Sequence, residues 1–182
     1  TPDKRDDNVV GRNIYEIFNY QIAYEIRLQQ AMEEDILCPF HYFGISDVSL
    51  VDDKQLRARK LTEVDFNQLT SDERVRHIIE QAKYYEYSGE RVKGLVFCSR
   101  IDESEELSQK FNAAGYRTIA LNGSASEDER MNAFERLAMD EKDATEEMQP
   151  LDYIFSVEIL NEGVDIVEVN QVIMLRPTEL RM

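Results

Sequence analysis

The chain has 182 residues, about one domain by length, and a chain of that size buries roughly 70% of the surface its unfolded form exposes. Hydrophobic residues make up 42% and charged residues 32%, which excludes a disordered chain, and no apolar run reaches the ~18 residues of a spanning helix, so no membrane partner is expected. The 21 basic residues against 37 acidic ones, a net charge of −16, exclude a module that grips nucleic acid by bulk electrostatics, leaving a local cationic cluster or a neighbouring domain to do it.

The polar opening Thr1-Pro2-Asp3-Lys4-Arg5-Asp6-Asp7 reads as a connection entered midway, and the chain as an excised piece. Ile22 to Ile26 fits a short strand or part of a helix. Leu28 to Glu34 reads helical, Ile36 to Val48 extended, and Asp52 to Lys60 as a linker or exposed helical turn. Two cysteines, Cys38 and Cys98, cannot build a disulfide framework, so a reducing, cytoplasmic location is expected. Cys38 and His41 lack a second ligand pair, and no metal site is expected.

After Thr70 the pattern becomes regular. Thr70-Ser71-Asp72-Glu73 has capping-box spacing, which predicts a helix start at Thr70. Val75, Ile78, Ile79, Ala82 and Tyr85 follow on one face, and Ser88-Gly89 ends that helix. Val92–Cys98 is a strand. Ser99 to Asp102 turns into a helix carrying Leu107 and Phe111, stopped by Gly115. Thr118–Leu121 is the next strand, and Ser126-Glu127-Asp128-Glu129 a second capping box before a helix lined by Met131, Phe134 and Leu137. Asp140–Gln149, with five acids and one lysine, reads as a solvated loop or frayed helix end without a specific partner. Tyr153–Val157 and Gln171–Leu175 are strands. The alternation predicts an α/β fold, a mostly parallel sheet flanked by helices.

Ligands on such sheets sit at the carboxyl ends of the strands, here Ser99-Arg100, Asn122-Gly123, Ser156 to Asp165 and Arg176-Pro177. No phosphate loop, Gly-x-Gly-x-x-Gly, Gly-x-Ser-x-Gly or His-Glu-x-x-His occurs in the chain, so no complete active site is expected within it. The edge holds phosphate-compatible parts, each with a plainer reading. Ser99 precedes a helix, where free N–H groups attract phosphate, or is a simple N-cap. Gly123 allows close backbone approach or a left-handed turn. Arg130 is a ligand cation or a partner in a surface salt bridge. Asp165, after Gly163, can hold a ribose hydroxyl or cap a tight turn.

These segments resemble the C-terminal half of superfamily 2 DEAD/DEAH helicases. Gly94 to Ser99 resembles motif IV. Ala120-Leu121-Asn122-Gly123 with Glu129-Arg130 and Phe134 resembles the stretch between motifs IV and V. Ile154 to Asp165 resembles motif V, with Ser156 where many relatives carry threonine, and Val172 to Thr178 resembles the strand leading into motif VI. Thr1-Pro2 resembles the tail of motif III, and Ile22 to Ile45 is similar to the type III restriction Res subunit group. The resemblance implies a RecA-like helicase C-terminal domain, a P-loop NTPase fold without its own P-loop. It implies residues 1–70 as a linker and N-terminal extension from a first motor domain, and 71–182 as the RecA-like domain ending before motif VI. It further implies an ATP cleft with Glu162, Gly163 and Asp165, and a single-strand path with Ser99, Arg100, Gly123, Arg130 and Ser156. ATP and Mg2+ are then cofactors of the full-length parent, and the partners are nucleic acid, DNA before RNA, and the first RecA-like domain. The chain alone holds no catalytic residue and no bound cofactor in this reading, and is expected to be inactive. A non-catalytic α/β interaction module, or a restriction subunit that translocates without unwinding, is the alternative.

Overall fold

The computed structural model describes residues 14–24, 26–45, 63–157 and 166–176. The chain divides into two units, Thr1–Ile45 and Ser46–Met182. In the first, helix α1 spans Ile14–Ile17 and α2 spans Leu28–Glu33. The α2 helix is supported by Gln29 and Gln30, which donate to Glu33 and Glu34 one turn on, at 3.1 and 2.7 Å. Asp35 then takes a φ of 56°, and the amides of Ile36 and Leu37 both donate to the Ala31 carbonyl. Residues 22–24, 26 and 36–45 carry neither helix nor strand. The described parts of the two segments predicted as strand-or-helix and as extended are therefore irregular; Ser46 to Val48 and Asp52 to Lys60 lie outside the described residues.

In the second unit, α3 (Glu63–Leu69) and α4 (Asp72–Tyr84) lead into β1 (Gly94–Phe97), α5 (Ile101–Ala113), β2 (Thr118–Leu121), α6 (Glu127–Ala138), a 3-10 turn at Glu141–Asp143, β3 (Tyr153–Ser156) and β4 (Gln171–Met174). The strands form one sheet in the order β2-β3-β1-β4, and every pairing is parallel. The central strands β1 and β3 are buried along their whole length, as expected of a parallel sheet covered on both faces. Successive side chains point to opposite faces. Val96, Cys98, Tyr153 and Phe155 thus pack with Val75 and Ile78 of α4 and Leu107 and Phe111 of α5. On the other face Leu95, Phe97, Leu121 and Ile154 pack with Ala133 and Leu137 of α6. Phe111 meets Tyr153 and Phe155 edge-on, at ring separations of 5.7 and 5.0 Å, a favoured aromatic geometry. On α6 the expectation for Met131 fails: Met131 is exposed and Ala133 is buried in its stead, because Ala133 and Leu137 are one turn apart on the sheet side.

The helix ends show which local signals act. Ser126 caps α6 with a complete capping box, its hydroxyl accepting from the Glu129 amide and Glu129 accepting from the Ser126 amide. At α4 the cap is Ser71, one residue beyond the predicted Thr70. Ser71 accepts from the Arg74 amide, while the Thr70 hydroxyl donates back to the Phe66 carbonyl at 3.0 Å. The α4 helix stops at Tyr84, before the predicted Ser88-Gly89. The α5 helix ends in a full Schellman turn. Gly115, at φ 95°, donates to Asn112, Tyr116 donates to Phe111, and the Phe111 and Tyr116 rings lie 5.6 Å apart.

The expectation that Asp140–Gln149 lacks partners is overturned. Asp140 accepts from Lys93 at 2.9 Å. Glu141 pairs with both Arg117 and Arg91. Asp152 binds the Arg117 amide at 2.8 Å and its guanidinium at 3.3 Å. Arg91 also donates to the carbonyls of Leu137 and Leu151. Lys93 and Arg117 immediately precede β1 and β2, so the acids neutralise the amino-terminal edge of the sheet. The hydrogen bond from Lys93 holds Asp140 below the usual carboxylate range, and that from Arg117 does the same for Glu141.

Candidate nucleic-acid interface

The register sets Ser156 opposite Phe97 on one side and Leu121 on the other. The segments that follow β1 and β2 therefore flank the end of β3, and Ser99, Gly123 and Ser156 share the carboxyl-terminal edge of the sheet.

Ser99 is not the N-cap that its position allows. The N-cap of α5 is Arg100, with φ −140° and ψ 153°. The Ser99 amide is not free, because it donates to Glu103 Oε2 at 2.9 Å. The Ser99 hydroxyl, by contrast, is buried and has no hydrogen-bond partner among the described residues. The same holds for the hydroxyl of Ser156, a residue with no exposed surface. Buried hydroxyls are ordinarily satisfied, so two unsatisfied ones at neighbouring strand ends mark this edge.

Arg100 is held in place from two sides. Its Nε donates to Asp102 Oδ1 at 2.8 Å and its Nη2 to Asp102 Oδ2. Its guanidinium carbon lies 5.8 Å from the centre of the Phe66 ring. The hydrogen bond from Arg100 holds Asp102 below the usual carboxylate range. Gly123 is exposed and lacks the positive φ of a left-handed turn; a Cβ added there would meet no atom within 4 Å. Nothing within the described chain requires glycine at this place, which leaves its backbone open to close approach. Arg130, on the first half of α6, donates to the Gly123 carbonyl at 3.3 Å. It makes no ion pair among the described residues, and its buried Nε has no partner. Glu162, Gly163 and Asp165 lie outside the described residues. Arg176, after β4, places its guanidinium 5.6 Å from the Phe97 ring.

Beneath this edge lies a pair that the sequence did not announce. Arg74 of α4 and Glu103 of α5 are 1% and 0% exposed and form a salt bridge at 3.1 Å. Burial pushes the Glu103 carboxyl above its usual range, against the opposing pull of Arg74 and the Ser99 amide. The local signal was an acid on the first turn of a helix that follows a strand; the arginine is far away in sequence. Cys98 is buried, and burial pushes its thiol well above the usual range, so it is an inert core thiol.

The edge thus offers an open backbone and arginines, which suit phosphate and sugar oxygens, with the Ser99 and Ser156 hydroxyls buried behind them. The family model of the helicase conserved C-terminal domain matches residues 70–180, more than half of the chain. The chain belongs to the helicase C-terminal domain family. Its all-parallel sheet flanked by helices is the RecA-like α/β fold of that domain. A helicase C-terminal domain is a motor domain of an enzyme that acts on nucleic acid. No curated protein matches the chain. Among the described residues of this helicase domain, no helix is long and apolar enough to cross a membrane.

Proposed function

We propose that the chain is the second motor domain of a cytoplasmic, ATP-dependent DNA helicase or translocase of the DEAD/DEAH type, similar to the type III restriction Res group. In this reading residues 1–70 lead in from the first RecA-like domain and 71–182 form the motor domain. Ser99, Arg100, Gly123, Arg130 and Ser156 belong to the single-strand path, and Glu162, Gly163 and Asp165 to the wall of the ATP cleft. The observation that carries the reading is the open Gly123 backbone beside Arg130, a cation in no ion pair among the described residues. The distribution of cations supports it. Arg91, Lys93 and Arg117 at the opposite edge are bound to acids, whereas Arg130 is not.

Among the described residues no three His, Cys, Asp or Glu side chains gather where they could hold a metal ion. In this reading Mg2+ arrives with the triphosphate and is held by the first RecA-like domain. Phosphoryl transfer depends on a phosphate-loop lysine, metal-binding acids and an arginine finger; the chain contains no phosphate loop. What this domain contributes is grip on the strand and closure of the cleft.

The test is a titration of fluorescent single-stranded DNA against the chain and its Arg130→Ala variant. Binding is expected at about 10⁻⁴–10⁻⁶ M, the non-specific range, with no base preference. Loss of one phosphate contact should lower the log–log salt slope of the variant by about 0.7. ATP turnover by the chain alone should stay at the buffer rate. No binding, or binding indifferent to salt, overturns the path and favours the non-catalytic interaction module.

A further inference from the structure

We infer that Arg74 and Glu103 form a positioning pair for the strand-binding turn at the end of β1. The inference rests on the function proposed above for what the turn binds, and on geometry alone for how the turn is held. Glu103 uses both carboxylate oxygens: Oε1 accepts from Arg74 at 3.1 Å and Oε2 accepts from the Ser99 amide at 2.9 Å. Arg74 is anchored in turn, donating at 2.6 Å to the carbonyl of Leu69, the last residue of α3. A continuous chain of hydrogen bonds therefore runs from the end of α3, through α4, to the first amide of the turn.

Stability does not explain this arrangement. A buried ion pair exchanged for apolar side chains of similar volume is often neutral or stabilising. The pair does supply two things that an apolar pair cannot. It satisfies the Ser99 amide, and it fixes the direction in which the Ser99 hydroxyl and the following Arg100 leave the sheet. Arg100 needs that direction to reach the Phe66 ring and Asp102. Glu103 and Arg74 are both too buried to touch a strand, so their influence on binding passes through Ser99 and Arg100.

The experiment compares two double variants, Arg74→Met with Glu103→Leu, and Arg74→Met with Glu103→Gln. Both remove the buried charges, but only the glutamine keeps an acceptor for the Ser99 amide. The leucine variant is expected to stay folded, with its unfolding temperature lowered by no more than an orphaned amide costs. It should bind a fluorescent oligothymidine about two- to tenfold more weakly, the scale of one hydrogen bond, and exchange its Ser99 amide hydrogen faster. The glutamine variant should recover both affinity and exchange protection. Equal affinity in the two folded variants and the unsubstituted chain overturns the proposal. If neither variant folds, amide exchange in the unsubstituted chain decides: a protected Ser99 amide supports the clamp, and one exchanging like an open loop amide overturns it. Failure of the unsubstituted chain to bind DNA overturns the functional reading alone, and the exchange measurement still judges the clamp.

Discussion

A Cβ on Gly94 would stand 2.2 Å from the ring of Tyr153, its partner across the β1–β3 ladder. The ring has little room to retreat, being packed against Phe111 and Tyr116, with its hydroxyl donating to Gln171 at 2.7 Å. Gly94→Ala should therefore cost about 1–3 kcal/mol, the usual range for forcing atoms into a packed core. Urea unfolding measures it. Adding Tyr153→Leu should return part of the loss; an alanine that costs nothing would show that the approach is looser.

On the strand path proposed above, Asp102 competes with the nucleic acid for Arg100, which it holds through both carboxylate oxygens. Asp102→Asn keeps the side-chain shape and removes the charge, so single-stranded DNA binding should tighten. The log–log salt slope should steepen by about 0.7, one further phosphate contact. A slope unchanged by the substitution would take Arg100 out of the path.

Acid should weaken the fold through its ion pairs. Donors hold Asp72, Asp102, Asp140 and Glu141 below their ordinary values, the first-named causes being Lys110, Arg100, Lys93 and Arg117. Such groups bind fewer protons folded than unfolded. Their stabilisation is present above the unfolded pKa and is lost as pH falls through the folded one. Glu103 acts the other way, because its raised pKa lets the native state gain by protonation. Urea midpoints measured between pH 5 and pH 2 should fall less steeply in Glu141→Gln than in the unsubstituted chain. Parallel curves would show that the Glu141 pairs contribute nothing.

Capping chemistry separates two adjacent residues. Ser71→Ala should cost about 1 kcal/mol by orphaning the Arg74 amide. Thr70→Ala should cost less, since the Thr70 hydroxyl only adds a second donor at the Phe66 carbonyl, which already accepts from the Thr70 amide. Reversal of that order in thermal unfolding would return the cap to Thr70.

The sequence carried clear signals for features closed within a few residues. The Ser126–Glu129 box needs only its own four residues, and the buried strands β1 and β3 are contiguous apolar runs. Thr70 and Ser71 were ambiguous because either hydroxyl can begin a helix; only the backbone direction decides. Partners far apart in the chain left no local trace. Arg74 and Glu103 are 29 residues apart, Lys93 and Asp140 47, and Arg117 and Glu141 24. The candidate edge was foreseeable because every βα turn of a parallel sheet opens on the same side. The state of its groups was not: that the Ser99 amide is occupied and its hydroxyl is not depends on Glu103 reaching back from the helix.

The strand order has a consequence for synthesis. Of the described strands β1 is made first, yet its neighbours on both sides are β3 and β4, the later two; Gly94 waits for Tyr153 on one side and Gln171 on the other. A nascent chain therefore carries a hydrophobic strand with two bare edges while β2 and α6 are still emerging, and such edges recruit other chains. Leu95, Val96 and Phe97 lack their β4 partners until Gln171 to Met174 have left the ribosome, and an interruption before that point leaves this flank of β1 unpaired.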